Sequence, residues 1–390
     1  MKNILFVETG RPSISGAYGG SIRSVIQLIE LLDLNRYNIF FQLDYKIPTV
    51  VNELEALNVK VFTSKDFRRK SKIKRSFFYN FIRKYNQTLP YQLLSIFKKK
   101  KEIQNIINII KKNNISIVHA NDRFLANFHV LIAARLCGVA YIQHQRKFED
   151  SIPFLFRIYK NYPFKYIAIS AAIKKNLIDY LKVDAKKIDL IHNWINFNSN
   201  STFIKHKKKE SFNILWMGRI LEWKGLEKLI DISLLLKNNL NKYHTIHVYG
   251  DFLDETYRAY IYKLIEEKQL AEYFIFHGFK KSNEIFKIDY KFFIHTSVKP
   301  EPFGRTIIES MYQKVPVFAT DLGGVKDIIQ HKKNGFLYNP HNINEILPLI
   351  NHLKNEKLRE QIIINAFSTI KNSFSGKNQI ISLEKIYSSL

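Results

Sequence analysis

The chain has little cysteine and no long apolar run. Its 390 residues contain one cysteine, Cys137, so no disulfide can form within the chain. This excludes a small secreted fold held together by disulfides and fits a reducing compartment. No apolar stretch approaches the roughly 20 residues that cross a bilayer, and the apolar run in "MKNILFVETG" is too short for the core of a signal peptide. We therefore expect a cytoplasmic protein.

Acidic residues are also scarce. The chain has 34 Asp and Glu against 61 Lys and Arg, which gives a formal net charge of +27. Such a charge suits an anionic partner, whether nucleic acid, an anionic membrane surface or a phosphorylated substrate. The sequence has no helix-turn-helix pattern, no zinc-finger spacing and no RNP-like strand, so we expect no nucleic-acid partner.

The basic charge is concentrated between Lys65 and Lys112. This stretch has fifteen Lys or Arg and only two acids, interleaved with aromatic and aliphatic residues such as Phe77, Ile96 and Phe97. Apolar side chains can enter the headgroup region of a bilayer while Lys and Arg bind anionic lipid. The stretch therefore predicts peripheral contact with the inner face of a membrane. The alternative is that these residues form the solvated faces of ordinary helices.

Short apolar runs alternate with helical patterns along the chain, as in parallel α/β sheets. A first series of strand-like runs is followed by a polar, basic stretch at 196–211 and then by a second series. The first series is NILFV, NIFFQL, KVFT, SIVHAN, AYIQH and KYIAIS, and the second is FNILWMG, TIHVYG, YFIFHG, KFFIHTS and VPVFATD. The sequence thus predicts two doubly wound α/β domains in tandem, over 1–197 and 198–372. A C-terminal helix is predicted within 373–390, and the pattern leaves open which domain it packs on.

In open parallel sheets, ligands bind beyond the carboxyl ends of the strands, where loops enter helix N-termini. The first such loop is GAYGGS, Gly16 to Ser21, in which Gly20 comes directly before a helical pattern. Glycine at this point lets backbone N–H groups approach an anion. The loop is not GxGxxG, and no acidic residue follows at the end of a second strand, so a dinucleotide enzyme is not expected. A plain glycine-rich turn is the alternative.

The second loop is MGRILEWKG, Met217 to Gly225, and it places Arg219 and Lys224 just beyond a strand. A guanidinium and an ammonium that converge on one point can bind a diphosphate. An exposed basic pair would have the same sequence.

The third loop, KPEPFGRTIIES, holds Glu301 and Glu309 where a strand gives way to a helix. If the helix begins near Phe303, with Pro302 in its first turn, the carboxylates lie roughly 9–12 Å apart. This separation is too large for a retaining glycosidase, whose carboxylates are about 5–5.5 Å apart. It would let one carboxylate hold each end of a nucleotide sugar, Glu309 the ribose and Glu301 the sugar, with the phosphates at the helix N-terminus. The alternative is a loop acid and an unrelated exposed acid on the helix.

Together these motifs resemble the retaining nucleotide-sugar glycosyltransferases of family 4. EPFGRTIIE matches the E-x7-E signature of that family, and ILWMGRILEWKGLEKLI resembles its diphosphate-binding segment. Three further segments resemble family segments in the family's order between Lys2 and Tyr338: GGSIRSVIQLIELL, IAISAAIKKNL and VPVFATDLGGVKDIIQHKKNGFLY. The resemblance implies the GT-B fold, in which two Rossmann-like domains face each other across an interdomain cleft.

The resemblance also implies roles for individual residues. Arg219 and Lys224 would neutralise the diphosphate, Glu309 would bind the ribose and Glu301 would position the donor sugar. His144, in AYIQHQ, would face the sugar. Further contacts with sugar and phosphate, mostly through backbone amides, are implied at Gly20, Phe303, Gly304, Arg305 and Thr306.

Family members are usually described as retaining by front-face attack, in which the leaving phosphate accepts the proton of the acceptor. Arg219 and Lys224 would then stabilise the departing diphosphate without a metal. No Asp-x-Asp motif occurs in the loops after the strands, so we expect no metal and no other cofactor. The chain departs from the family pattern at Trp194, where glycine is common, and at Asp327, where glutamate is usual.

We therefore expect retaining transfer of a hexose or N-acetylhexosamine from a nucleotide diphosphate sugar, UDP first among the nucleotides, to a glycan. The basic and aromatic N-terminal domain favours a growing surface polysaccharide or a lipid-linked glycan at the inner face of a membrane as the acceptor. One alternative is a nucleotide-sugar epimerase of the same fold, which would need no acceptor. Another is a non-catalytic protein that keeps the fold and binds membrane or nucleic acid.

Overall fold

The computed structural model describes residues 1–9, 20–64, 89–150, 152–196, 212–239 and 243–390. These residues form two compact units, Met1–His192 with Gln379–Leu390, and Asn193–Asn378. Loop residues 16–19 and basic residues 65–88 lie outside the described residues. In the described ranges, no helix is both long enough and apolar enough to cross a membrane.

The described residues of the first unit contain a seven-stranded parallel sheet in the order β3-β2-β1-β4-β5-β6-β7. Its strands are β1 (Lys2–Glu8), β2 (Tyr37–Leu43), β3 (Lys60–Thr63), β4 (Ile117–Asp122), β5 (Ala140–Gln145), β6 (Lys165–Ala168) and β7 (Ile188–Leu190). The α-helices along this part of the chain are Gly20–Ile29, Pro48–Ala56, Leu89–Lys98, Lys100–Lys112, Phe128–Leu136, Phe154–Ile158 and Ala171–Asp179. The last helix of the chain, Gly376–Ser388, belongs to this unit from Gln379 onward.

The second unit repeats this arrangement with a six-stranded parallel sheet in its described residues, in the order β10-β9-β8-β11-β12-β13. Its strands are β8 (Phe212–Met217), β9 (His244–Tyr249), β10 (Phe274–Gly278), β11 (Phe292–His295), β12 (Val317–Thr320) and β13 (Phe336–Tyr338). Its α-helices are Leu226–Asn239, Glu255–Glu267, Ser282–Ile285, Arg305–Tyr312, Ile346–His352 and Glu356–Ser373.

The predicted strands are confirmed: each of the apolar runs forms a strand, and both sheets are parallel. Strands covered on both faces need apolar residues at successive positions, and Ile4, Leu5, Phe6 and Val7 of β1 are fully buried. The pattern did not predict β7 and β13. Both are edge strands of three residues, too short to give a periodic signal.

The strand order reverses at one point in each sheet. In the first sheet β1 pairs with both β2 and β4, and in the second β8 pairs with both β9 and β11. The crevice beyond the carboxyl ends of the strands at such a reversal is where doubly wound folds bind ligands. The residues that follow β1, β4, β8 and β11 are therefore the first candidates for a site.

Candidate active site

Predicted site residues of the second unit follow neighbouring strands at this reversal point. Arg219 and Lys224 come after β8, and Glu301 comes after β11, which pairs with β8. Because parallel neighbours end at the same edge of the sheet, the two loops meet there. Lys224 Nζ lies 2.6 Å from Glu301 Oε2. The structure thus brings together a cation and a carboxylate that are 77 positions apart in the chain.

The turn that carries Lys224 is anchored to the loop after β11. A 3-10 helix, Glu222–Lys224, ends at Gly225, which has a φ of 68°. A Cβ at Gly225 would lie 2.2 Å from the carbonyl oxygen of Thr296, so only glycine allows this close approach. The Thr296 hydroxyl in turn donates to the Lys224 carbonyl at 2.8 Å. These contacts fix the position from which the Lys224 side chain extends.

One oxygen of the Glu301 carboxylate is held by several polar groups. Besides Lys224, Oε2 contacts His295 Nε2 at 3.3 Å and the hydroxyl of Ser297 at 3.2 Å. The other oxygen, Oε1, accepts no hydrogen bond from the described part of the chain, and the side chain is 13% exposed. The carboxylate is therefore held through Oε2 while Oε1 can accept from a ligand hydroxyl.

Lys224 keeps this carboxylate ionised. Burial acts to raise the pKa of Glu301, but the Lys224 ammonium and the hydrogen bond with His295 outweigh it, so the pKa lies well below its ordinary value. Burial lowers the pKa of His295, although Glu301 beside it acts in the opposite direction. At neutral pH the group therefore consists of a carboxylate, an ammonium and a neutral imidazole.

The backbone of Glu301 is held by the loop after β12. Gly324 N–H donates to the Glu301 carbonyl at 2.7 Å, and Glu301 forms an isolated parallel bridge with Gly323. A Cβ at Gly323, which has a φ of 68°, would lie 2.3 Å from that carbonyl oxygen. The two glycines of VPVFATDLGG thus allow a backbone contact that sets the position of Glu301.

The helix after Glu301 begins later than predicted. It spans Arg305–Tyr312, so the prediction that Pro302 lies in its first turn was wrong. Phe303 is 2% exposed, and its ring packs against Phe374 with centroids 5.8 Å apart. This buried contact holds the chain at Phe303 in the core before the helix starts.

The start of this helix carries the residues predicted to contact phosphate. Gly304 directly precedes the helix, and Arg305 and Thr306 are its first residues. A helix N-terminus has N–H groups without intrahelical acceptors and favours anions. Glu309 lies one turn further along, where its Oε1 is 3.4 Å from Arg305 Nη2 and its Oε2 accepts from the Ser282 hydroxyl at 3.4 Å.

Arg219 differs from Lys224 in its surroundings. It is exposed, and its side chain forms no hydrogen bond or ion pair with any residue that the structure describes. Lys224 is 14% exposed in its ion pair. A ligand anion near Arg219 would thus meet a cation that need not first break an ion pair with any carboxylate among the described residues.

His144 lies on β5 in the first unit and is 1% exposed. Its Nδ1 is 3.0 Å from Nε2 of His119 and 3.3 Å from Nη2 of Arg146. Its Nε2 is buried and has no hydrogen-bond partner within the described ranges. Burial and the nearby Arg146 lower the pKa of both histidines, to about 3 for His119. Both imidazoles are therefore neutral near pH 7.

Gly20 opens the helix Gly20–Ile29 after β1 and is exposed. The next residue, Ser21, donates its hydroxyl proton to Glu8 Oε2 at 3.0 Å. Asn121, at the end of β4, donates to the same carboxylate oxygen and also lies 2.7 Å from the Ser21 hydroxyl. Burial and the nearby Asp122 raise the pKa of Glu8 to about 7. A polar cluster thus occupies the reversal point of the first sheet.

Sequence reasoning missed His295, Ser297, Glu8 and Asn121. The available signal was the same for all of them: a polar residue at or just beyond the carboxyl end of an otherwise apolar strand. The described residues contain no group of three or more His, Cys, Asp or Glu placed to hold a metal ion.

Two family models match most of the chain. The model of Glycosyl transferases group 1 matches residues 198–369, and that of Glycosyltransferase Family 4 matches residues 49–199. The crystal structure of Anabaena HepE in complex with UDP-glucose has a TM-score of 0.77 over 100% of both chains, at 21% identity. This likeness shows the fold, which is that of the GT-B glycosyltransferases.

Curated relatives agree with these matches. The chain is 30% identical over 249 residues to the poly(ribitol-phosphate) alpha-N-acetylglucosaminyltransferase of Staphylococcus aureus, over 59% of this chain and 48% of the relative. The match therefore spans about half the length of that relative (48%). The chain is also 20% identical over 318 residues to the Escherichia coli UDP-Gal:alpha-D-GlcNAc-diphosphoundecaprenol alpha-1,3-galactosyltransferase, over 75% of this chain and 80% of the relative. The chain belongs to the family-4 glycosyltransferases.

Proposed function

We propose that this chain transfers a hexose or N-acetylhexosamine from a nucleotide diphosphate sugar to a glycan, with retention of anomeric configuration. The observation that carries the proposal is the partly buried pair of Lys224 and Glu301 at the reversal point of the second sheet, with Lys224 Nζ 2.6 Å from Glu301 Oε2. A sugar diphosphate needs a cation for its phosphates and a hydrogen-bond acceptor for its sugar hydroxyls. Lys224 supplies the cation and Glu301 the acceptor, and the two side chains are in direct contact.

The two cations would share the diphosphate. An ammonium has three donors, so Lys224 can keep its contact with Glu301 Oε2 and still donate to a phosphate oxygen. Arg219 is exposed in the loop after β8, and its guanidinium would donate two parallel N–H groups to the diphosphate. The N-terminus of the helix Arg305–Tyr312 would add backbone donors. Together these groups would stabilise the departing diphosphate, so no divalent metal would be needed.

The remaining carboxylates would bind the ends of the donor. Glu301 Oε1 would accept from the sugar hydroxyls, and Glu309 would accept from the ribose hydroxyls. His144 would donate a hydrogen bond to the same sugar. In front-face transfer, the acceptor oxygen bonds to the anomeric carbon as the bond from that carbon to the diphosphate breaks. The leaving diphosphate oxygen takes the acceptor proton, so no protein nucleophile is required.

The activities for which the relatives are named guide the choice of substrates. HepE is described in complex with UDP-glucose, and the E. coli relative is named for UDP-Gal, so UDP is the nucleotide we propose. The S. aureus relative is named for a poly(ribitol-phosphate) acceptor and the E. coli relative for a lipid-linked sugar. We accordingly propose a surface polysaccharide or a lipid-linked glycan as the acceptor, at the inner face of a membrane.

Binding of the donor tests this function first. At a hundredfold excess over its Kd, a UDP-sugar should raise the Tm by roughly 5–10 °C, because a ligand that binds only the folded state stabilises it. GDP-, ADP- and dTDP-sugars serve as comparisons, and Arg219→Ala/Lys224→Ala is the variant that should lose the shift. A shift that persists in the double variant, or no shift with any donor, would contradict the proposed donor site.

Turnover then separates transfer from epimerisation. With the identified donor, release of UDP should depend on added glycan acceptor and should be unchanged by EDTA, and the new linkage should keep the anomeric configuration of the donor by NMR. Conversion of the donor sugar without any acceptor would instead identify an epimerase. Loss of turnover in EDTA with recovery on added divalent metal would show that Arg219 and Lys224 do not suffice.

A surface of the first unit suits an anionic bilayer. The helices Leu89–Lys98 and Phe154–Ile158 contact each other, and the Gln92 side chain accepts from Leu155 N–H at 2.8 Å. Each helix exposes apolar side chains: Leu94 is 47% exposed, Phe97 67%, Phe154 71% and Ile158 62%. Exposed cations lie on or beside these helices at Lys98, Lys100, Lys101 and Arg157. We propose that this aromatic-basic surface binds anionic lipid.

Neutralising Lys98, Lys100 and Lys101 to Gln should reduce co-sedimentation with liposomes containing phosphatidylglycerol by about tenfold or more, since each basic residue near such a surface contributes about 1 kcal/mol. The matched control changes Lys333, Lys354 and Lys357 to Gln, which removes the same charge from exposed positions of the second unit. Equal binding by both variants would contradict a specific surface. Equal binding of the wild type to neutral phosphatidylcholine liposomes would contradict the role of charge.

A further inference from the structure

A buried row of hydrogen bonds joins the last helix of the chain to His144. Tyr387, in the helix Gly376–Ser388, has its hydroxyl 2.6 Å from Nδ1 of His119 on β4. Nε2 of His119 lies 3.0 Å from Nδ1 of His144 on β5. Tyr387 and His119 are 0% exposed and His144 is 1% exposed. Bulk water therefore cannot compete for the hydrogen bonds between these three side chains.

Arg146 fixes the direction of these hydrogen bonds. Its Nη2 lies 3.3 Å from Nδ1 of His144, and a guanidinium can only donate. Nδ1 of His144 must then hold a lone pair, so His119 Nε2 also donates to it. A neutral His119 that carries its proton on Nε2 has a lone pair on Nδ1, which accepts from the Tyr387 hydroxyl. Every contact in the row is satisfied by this one assignment.

We propose that Tyr387 is a positioning residue that fixes the tautomer of His144, acting through His119. The proton of His144 is thereby held on Nε2, the ring nitrogen that has no partner among the described residues. The inference rests on the proposed role of His144 at the donor sugar, and it specifies that role. His144 donates to an oxygen of the ligand and cannot act as a base there, because its one lone pair is taken by His119 and Arg146.

The opposite tautomer would be costly. A proton on His144 Nδ1 would face the donor groups of Arg146 and His119, and Nε2 would then present a lone pair. A bare Nε2 can accept from a sugar hydroxyl but repels the oxygens of a phosphate. Without the Tyr387 hydroxyl, His119 loses the donor that holds its own proton on Nε2. Both histidines are then free to exchange tautomers.

The tautomers can be measured directly on ligand-free protein. Protein labelled with ¹⁵N in histidine gives long-range ¹H–¹⁵N spectra in which protonated and bare ring nitrogens are distinct. The His144 signals are identified by their absence from His144→Gln. We expect the wild type to show protonated Nε2 and bare Nδ1 at both His119 and His144. In Tyr387→Phe we expect a second tautomer at His119 and partial loss of the Nε2 proton at His144.

Tyr37→Phe is the matched control. Tyr37 is also buried, its ring packs against that of Tyr387 at 5.5 Å, and its hydroxyl has no hydrogen-bond partner in the part of the chain that the structure describes. This variant removes a buried tyrosine hydroxyl beside the row without touching the row. It should leave both tautomers unchanged. A tautomer change of equal size in Tyr37→Phe would indicate general loosening of the core and would overturn the proposal.

Kinetics complete the test. Tyr387→Phe should lower kcat/KM for transfer by about fivefold to tenfold, the cost of one misdirected hydrogen bond, while Tyr37→Phe stays near the wild type. Unchanged tautomers in Tyr387→Phe, or changed tautomers with unchanged kinetics, would overturn the positioning role. If the protein shows the expected tautomers but transfers sugar from no nucleotide donor, the proposed function is contradicted. The assignment of the hydrogen-bond row is then still supported.

Discussion

Replacing Lys224 by alanine is expected to lower kcat/KM for sugar transfer by about 100- to 1000-fold, the range seen when one donor to a developing negative charge is removed. The substitution has two effects. It removes the partly buried ammonium proposed to stabilise the departing diphosphate. It also leaves the Glu301 carboxylate without the cation 2.6 Å from it, so burial acts on the pKa of Glu301 with less opposition and raises it.

Lys228→Ala is the matched control for this prediction. Lys228 lies one turn further along, in the helix Leu226–Asn239, and its Nζ is 3.8 Å from Asp231 at a side-chain exposure of 36%. An exposed pair of this kind contributes little, about 0–1 kcal/mol. Steady-state kinetics with saturating acceptor and varied donor give kcat/KM for both variants. A Lys224→Ala enzyme within about threefold of the control would contradict the proposed role.

Arg219→Ala should behave differently from Lys224→Ala, because Arg219 is exposed and makes no ion pair within the described ranges. Its loss leaves no buried charge without a partner, so the free energy of unfolding should change little. Lys224 is therefore expected to contribute to both folding and donor binding, and Arg219 to donor binding alone.

Much of this arrangement can be predicted from the sequence because of how parallel sheets are built. Strands buried on both faces appear as continuous apolar runs, and their carboxyl ends mark where side chains can reach a ligand. That reasoning places Arg219, Lys224 and Glu301 after two strands. It cannot say that these strands are neighbours, because β8 and β11 are separated by two further strands in the sequence and become adjacent only through the sheet order.

The sequence could not predict contacts that depend on atomic positions. His295 sits inside the strand run KFFIHTS and looks like any buried histidine, yet its Nε2 lies 3.3 Å from the Glu301 carboxylate. Tyr387 is 268 positions from His119, and only the return of the last helix to the first unit brings them together. The helix starts at Arg305, directly after Gly304 with its φ of 113°, and the burial of Phe303 against Phe374 just before it is a contact between residues 71 positions apart that no local propensity encodes.

Glu301→Gln is the second substitution with a large expected effect, a loss of about 100-fold in kcat/KM. Glutamine has nearly the shape of glutamate, so the loops after β8 and β11 need not move. What changes is charge: the neutral amide oxygen accepts from the Lys224 ammonium without the attraction of an ion pair, and it accepts from a sugar hydroxyl more weakly than a carboxylate does. An enzyme that kept full transfer activity would show that Glu301 does not position the donor sugar.

The same variant has a defined pH dependence. The pKa of Glu301 is lowered in the folded state, so its ionised form stabilises the fold fully above the unfolded value of about 4.3. This contribution is lost as the pH falls through the lower, folded pKa. Glu301→Gln should thus reduce the Tm by a constant amount between about pH 6 and pH 8, and the difference should shrink below about pH 4.

The size of this Tm difference shows whether the ion pair of Lys224 and Glu301 stabilises the fold or serves only to bind the ligand. Both side chains keep some solvent contact, 14% for Lys224 and 13% for Glu301, so the loss should be up to about 3 kcal/mol, below the full cost of breaking a buried pair. The surface change Glu266→Gln controls for the lost negative charge. If Glu301→Gln matched that control in Tm yet lost activity, the pair would serve the donor alone. A Tm loss in donor-free protein larger than that of the control would show that the pair stabilises the fold before any donor binds.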